Sequence, residues 1–271
     1  MPSRALDLPL AAVVAGVLVL GCTDDSTEPR GSPLAGDSAT TKMLDAGAAM
    51  IQGRAPIEAI DAYLAGFHFY NGRPDLQVEA HHYCAALGED VFQCVVYDGN
   101  VAQARMIGVE YIISARLFAE LPDEEKAMWH SHVFEVKSGQ LVAPGLPDAA
   151  ERELMEKLVG TYGKTWHTWH TGLDKSVPVG VPQLMMDFTA EGQADPEMIA
   201  ERDARLDMDS ARKREARQSI QAPAIDPGAD AWRRDIVVQV EDPTGALHET
   251  GPAPKETKGT GSGTNPRSNR P

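Results

Sequence analysis

The chain has 271 residues, 42% of them hydrophobic, which suffices for one substantial core or two small ones. Its formal net charge of −15 offers no basic surface to neutralise phosphates, which excludes general nucleic-acid binding and loose electrostatic adhesion to anionic lipid. Aromatic residues are few, at 6%, yet three of the four tryptophans, Trp129, Trp166 and Trp169, stand next to histidines.

The first stretch, "LPLAAVVAGVLVLGC" from Leu8 to Cys22, is uncharged and apolar. It is short for a membrane span, which needs roughly 20 residues, and has the pattern of a signal-peptide core. Its ending, "VLGC", resembles a bacterial lipoprotein signal, in which Cys22 becomes the lipidated first residue. Residues 1–22 are therefore expected to be a signal peptide. Thr23 in the second mature position points to the periplasmic face of the outer membrane. Residues 23–41 and 246–271 are rich in Ser, Thr, Gly, Pro and charge, and are expected to be a tether and a tail. The globular part is then 42–245.

Within it, "TTKMLDAGAAMIQG" has a threonine cap, helical spacing and a glycine stop. "RAPIEAIDAYLAGFHFY" opens on Pro56 and places Ile57, Ile60 and Leu64 on one face, which predicts a second helix. "LQVEAHHYCAALGEDVFQCVVYDG" is two β-prone runs around "GED", a hairpin centred on Glu89. That register sets Cys84 opposite Cys94, within disulfide range. Alternation puts His82 on their face, and Glu79, His81 and Tyr83 on the other. "ARMIGVEYIIS" is a strand. "SARLFAELPDEEKAMW" is helical, with Ser114 as cap. "HVFEVKSGQLVAP" is expected to be two short strands around Ser-Gly. "DAAERELMEKLVGTYG" is an amphipathic helix. "KTWHTWH", "VPQLMMDFT" and "DIVVQV" are strands. Asp195 to Ile220 is expected to be one long solvated helix supported by pairs at spacings of three and four. Helices and hairpins are mixed without a βαβ beat, so the fold class is α+β: a single domain with a mainly antiparallel sheet and flanking helices.

Seven of the 8 histidines lie between His68 and His170. His130 and His132, two apart in a strand, would share a face. His167 from a neighbouring strand completes a three-histidine site for a divalent metal such as zinc. Glu135 falls on the opposite face of a regular strand and is a poor ligand. The competing reading is a polar core in which these rings bond backbone or carboxylate groups. Glu79 beside His81 suits general acid–base work. Cys84 and Cys94 are open to three readings: a disulfide, natural in an exported chain, zinc thiolates with His82, or two free thiols. No HExxH, phosphate loop or GxSxG elbow appears.

"VEAHHYC", "GVEYIIS", "LPDEEKAMWHSHVFEVKSGQLVAPGLP", "MEKLVGTYGKTWHTW" and "VPVGVPQLMMDFT" together resemble the oil-body-associated protein family, over roughly residues 45 to 240. The family's pattern extends through "TWHTW", hence to His167 and not to His170. The resemblance implies association with lipid droplets and their stability, and it carries no catalytic residues with it. The plant members lack the lipoprotein-like leader, so attachment here is expected through Cys22. Two functions remain. One is a membrane-tethered, non-catalytic domain that acts at a lipid surface or binds a hydrophobic or small ligand. The other is a metal-dependent hydrolase or lyase, with His130, His132 and His167 on the metal and Glu79 or Glu110 as base.

Overall fold

Ala62 to Tyr70, expected at the end of a helix, form a nine-residue strand in the computed structural model, which describes residues 38–40, 42–43, 52–171 and 177–243. Only α1, Ala55–Glu58, is helical there, with its proline in the first turn. The run "AYLAGFHFY" explains the difference. Its Tyr, Phe and His side chains suit a pleated, buried surface, and its apolar residues pack on both faces, so the helical spacing of Ile57, Ile60 and Leu64 was coincidental. The helix expected over 40–53 lies largely outside the described residues. So do the leader, Cys22, most of the tether and the tail.

The strands are β1 (Ala62–Tyr70), β2 (Arg73–Ala86), β3 (Val91–Tyr97), β4 (Met106–Ser114), β5 (His130–Ser131), β6 (Thr161–His167) and β7 (Gln183–Met186). All pair antiparallel. The order runs β4-β3-β2-β1-β7-β6, and β4 pairs with β6 to close the ring. The mainly antiparallel sheet is thus a six-stranded barrel, which removes the open edges a flat sheet would leave. β5 pairs with β6 at Gly163 and Tyr162, beyond the reach of β7. Val142 bridges Ala65 on the free side of β1.

The β2–β3 register pairs Cys84 with Cys94, and the two are joined by a disulfide. Around the ring, Leu64, His82, Val96, Gly108, His167 and Gln183 pair in succession. Directly paired residues share a face, so they form one interior layer. Cys84, Cys94 and Glu110 form part of the next.

The helices are α2 (Ala115–Ala119), α3 (Asp123–Lys126), α4 (Val133–Ser138), α5 (Asp148–Leu158), α6 (Pro196–Leu206) and α7 (Ser210–Ala216). Met155 and Leu158 of α5 join Leu64, Cys84 and Ile112 in an apolar cluster. Three expectations are corrected. Residues 133–138 are helical, because His132 leaves the extended region and Gly139, at φ 79°, caps the turn in the left-handed region. The single solvated helix over 195–220 is two helices broken at Asp207, at φ 52°. They are not merely solvated, since Arg202 and Arg217 are buried and each donates to two backbone carbonyls. Finally, "DIVVQV" joins no ladder. The Gln239 amide occupies that place, accepting from Leu184 N at 2.8 Å and donating to Leu184 O at 2.8 Å.

Candidate metal centre

The polar residues of the barrel interior converge. β1 supplies His68, β2 His82, β4 Glu110, β5 His130 and β6 His167. His132 precedes α4, Glu135 lies within it, and Asp187 follows β7. None of the eight is more than 6% exposed. They fit because Gly163, opposite His130 on β6, has no Cβ. A methyl there would overlap Glu110 Oε1, His130 Nε2 and His132 Nε2 at once.

Glu110 is the hub. Its Oε2 lies 2.8 Å from His82 Nε2. Its Oε1 lies 3.3 Å from both His130 Nε2 and His132 Nε2, and His130 Nε2 lies 3.4 Å from Asp187 Oδ2. His68 joins Asp187 Oδ1 at 3.5 Å to His167 Nε2 at 3.3 Å. Most of these separations are long for hydrogen bonds. Both ring nitrogens of His130 and both carboxylate oxygens of Asp187 lack a hydrogen-bond partner. Such orphans are costly in a dry interior unless something else satisfies them.

The His132 tautomer narrows what that is. Thr161 Oγ1 donates to Leu158 O at 2.7 Å, so it accepts from His132 Nδ1–H, also at 2.7 Å. In a neutral His132 the Nε2 lone pair then faces the Glu110 carboxylate, acceptor against acceptor. A proton or a cation must lie between them. The spacing suits a cation: donors held about 2.0–2.1 Å from one tetrahedral ion stand about 3.3 Å apart. Ligand atoms of His130, His132 and Asp187 lie within 4.8 Å of one another, as do those of His68, Glu110 and His130.

Burial opposes charge on Glu110, but His82, His130 and His132 outweigh it and hold the carboxyl well below the usual range. Burial, with Glu135 and Glu110 nearby, pushes Asp187 well above it. Burial lowers His132, but Glu135 and Glu110 outweigh this and raise it. Burial and the neighbouring His82 bring His167 down to about 3. His167 is therefore expected to stay neutral in the folded chain through pH 4, with ring nitrogens that do not titrate in imidazole NMR. The sign for stability follows. The unfolded imidazole takes its proton near pH 6.5 and the folded one near 3, so acid favours unfolding across that window. Between pH 6.5 and 4.5 the wild type should lose up to about 1.4 kcal/mol per pH unit more than His167→Gln. Equal pH slopes in urea unfolding would refute a neutral, buried His167.

The structure brings His130, His132 and Glu110 together, with Glu110 as a potential ligand. His167 lies on the same inner wall, against His68, and is in neither of the two groups whose ligand atoms lie within 4.8 Å of one another. Glu135, set aside when 133–138 was taken for a strand, turns inward because the segment is helical and reaches within 3.8 Å of His132. His68 and Asp187 lie outside the set expected from sequence. His68 was hidden by the helical reading of "GFHFY", although it alternates with Leu64 and Gly66. Asp187 had a signal, as the lone acid in the apolar run "QLMMDF". Glu79 and His81 are on the outer wall, apart from the cluster. His81 is held by Tyr63 Oη at 2.7 Å and Glu79 at 2.9 Å, and Glu79 also binds Arg205. His170 is held by Tyr70 and the Val181 carbonyl.

The centre is closed. The cavity beside it, about 10 Å³, is lined by six of these polar side chains and by Leu64, Ile112, Leu141 and Leu158, and has room for about one water.

Fold and site together define an antiparallel β-barrel domain built around a buried histidine–carboxylate cluster. Residues 54–221 match the family model described as "Protein of unknown function (DUF1264)", and the chain belongs to that family. It is 43% identical over 185 residues to oil body-associated protein 1B of Arabidopsis thaliana, covering 68% of this chain and 77% of the relative. It is 42% identical over 204 residues to oil body-associated protein 1A of Zea mays, covering 74% and 86%. Oil body-associated protein 2A of Zea mays is 39% identical over 210 residues, covering 76% and 82%. No solved structure matches. Among the described residues, no helix is long and apolar enough to cross a membrane.

Proposed function

We propose that this chain is a metal-binding barrel domain of the oil body-associated type that acts at a lipid surface. His130, His132, Glu110 and Asp187 hold one divalent ion, and His68, His82 and Glu135 orient them. The observation that carries this reading is the convergence of Glu110 Oε1, His130 Nε2 and His132 Nε2 at Gly163, beside an unsatisfied His130 and Asp187, with three separations of 3.3–3.4 Å near a tetrahedral edge. A nitrogen–oxygen set without thiolate suits zinc, iron or manganese. The role is structural: the ion ties β4, β5 and the end of β7 together. A cavity the size of one water offers no room for an organic substrate, which weighs against the hydrolase or lyase alternative.

Untagged full-length protein should carry close to one equivalent of metal by elemental analysis, and His132→Ala should lose it. A chelator should lower the melting temperature of the wild type, because an ion that binds only the folded state stabilises it. Metal-free protein whose melting temperature ignores added zinc, iron and manganese would sink the reading.

The lipid-surface part draws on the names of the relatives and on the lipoprotein-like leader. Export and a lipid anchor at Cys22 would supply the attachment, so Cys22→Ser should move the chain from the membrane to the soluble fraction. Unchanged fractionation would locate lipid contact in the barrel domain itself.

A further inference from the structure

A single ion leaves part of the cluster unsatisfied. Held by His130, His132, Glu110 and Asp187, it uses one oxygen of each carboxylate. Glu110 Oε1 and Asp187 Oδ2 are the oxygens on that side, at 3.3 Å and 3.4 Å from His130 Nε2. The other oxygen of each carboxylate faces a second pair of imidazoles. Glu110 Oε2 lies 2.8 Å from His82 Nε2, and Asp187 Oδ1 lies 3.5 Å from His68 Nε2. The His68 and His82 rings are neighbours, with centres 4.9 Å apart.

This second side is also short of partners. Asp187 Oδ1 and both ring nitrogens of His82 are buried without a hydrogen bond. Such groups are costly in a dry interior unless something else satisfies them. The cavity of about 10 Å³ lies on this side: His68, His82, Glu110 and Asp187 all line it, and His130 is not part of its wall. It has room for one water-sized body, and a divalent ion is no larger. Charge points the same way. Glu135 lies 3.8 Å from His132, so three buried carboxyls surround the cluster, and one divalent ion leaves a negative remainder when all three are ionised.

We infer that the centre is dinuclear: a second divalent ion binds beside the first, on His68 Nε2, His82 Nε2, Glu110 Oε2 and Asp187 Oδ1, with both carboxylates bridging the pair. The inference rests on the metal reading above and extends it. Each ion then has two imidazole nitrogens and two carboxylate oxygens, a set suited to manganese, iron or zinc. The contact between His82 and Glu110 opens to the tetrahedral edge of about 3.3 Å when the ion enters. Paired ions of this kind stand about 3.5–4 Å apart. Their repulsion makes the second the weaker. Protein purified without added metal therefore keeps the first alone, and His68 and His82 then orient the carboxylates. Filling the second position extends the tie from β4, β5 and the end of β7 to β1 and β2.

The test is titration of metal-stripped full-length protein with Mn(II) and, separately, with zinc, read by equilibrium dialysis and elemental analysis. The manganese form is also read by electron paramagnetic resonance. The expected result is two equivalents at saturation, the second bound more weakly. The second Mn(II) should replace the spectrum of an isolated ion by an exchange-coupled one, because coupling needs ions a few ångströms apart. His82→Gln should cut saturation from two equivalents to one and leave the spectrum of an isolated ion. Should that variant not fold, the wild-type spectrum still decides. Saturation of the wild type at one equivalent would overturn the second ion and leave the single-ion reading standing, with a water in the cavity. No bound ion would overturn both. Two manganese equivalents without exchange coupling, or two retained in His82→Gln, would put the second ion outside the cluster and overturn the proposal.

Discussion

Gly163→Ala is expected to abolish metal binding and to destabilise the barrel. Elsewhere in a strand, alanine in place of glycine is neutral or favourable, because it lowers the entropy of the unfolded chain. At Gly163 the added methyl would occupy the point where Glu110 Oε1, His130 Nε2 and His132 Nε2 converge. All three belong to buried side chains, and the strand backbone cannot retreat without breaking the β4–β6 and β5–β6 pairings. Overpacking of this kind costs about 1–3 kcal/mol. Loss of a bound ion adds to it by mass action. Gly53, whose added methyl would meet nothing within 4 Å, is the matched control. Elemental analysis and urea unfolding of both variants decide the matter. If Gly163→Ala keeps full metal and an unchanged unfolding midpoint, the convergence at Gly163 is not a binding centre.

Arg202→Ala should cause the largest loss of stability in the α6–α7 region, about 3–5 kcal/mol, the cost of removing one partner from a buried charged network. The Arg202 guanidinium donates to Ala65 O at 3.2 Å, Gln140 O at 2.8 Å, Ser210 Oγ at 2.9 Å and Asp203 Oδ1 at 2.8 Å. It also lies 4.7 Å from the centre of the Phe67 ring. Truncation strands the Gln140 carbonyl, leaves Ala65 O with only its bond from Val142 N, and opens a cavity against β1. Lysine should not rescue it, because a point charge cannot satisfy this fan of acceptors. Arg212→Ala, at a surface pair with Asp148, should change stability by less than about 1 kcal/mol. A urea-derived loss below about 1 kcal/mol at Arg202 would show that the network adds little.

Legibility followed the locality of the signal. The β2–β3 hairpin was readable because "GED" sets its register and the register sets Cys84 against Cys94. The amphipathic helix α5 and strands β4, β6 and β7 were readable from periodicity. β1 was not, because its buried residues occupy both faces and satisfy a helical pattern equally well. The segment after His132 failed for the opposite reason: "HVFEV" has β-prone residues, and only the turn at His132 and the cap at Gly139 make it helical. Arg202 and Arg217 looked like solvated charge because nothing local to α6 and α7 reveals that four backbone carbonyls from distant segments await them.

By itself the sequence determined the α+β class, the cystine register, the family resemblance and the concentration of histidines at His130, His132 and His167, since each rests on residue types and short spacings. Only the tertiary structure decided that the sheet closes through β4 and β6, and closure sets the inner wall. That wall carries His68 and Asp187, separated by more than a hundred residues of chain, to within 3.5 Å of each other. It leaves Glu79 outside, although Glu79 is only three residues from His82 in sequence. Strand alternation sends neighbouring residues to opposite faces, and barrel closure makes one face a shared interior, so membership of the site depends on pairing partners that no local pattern encodes.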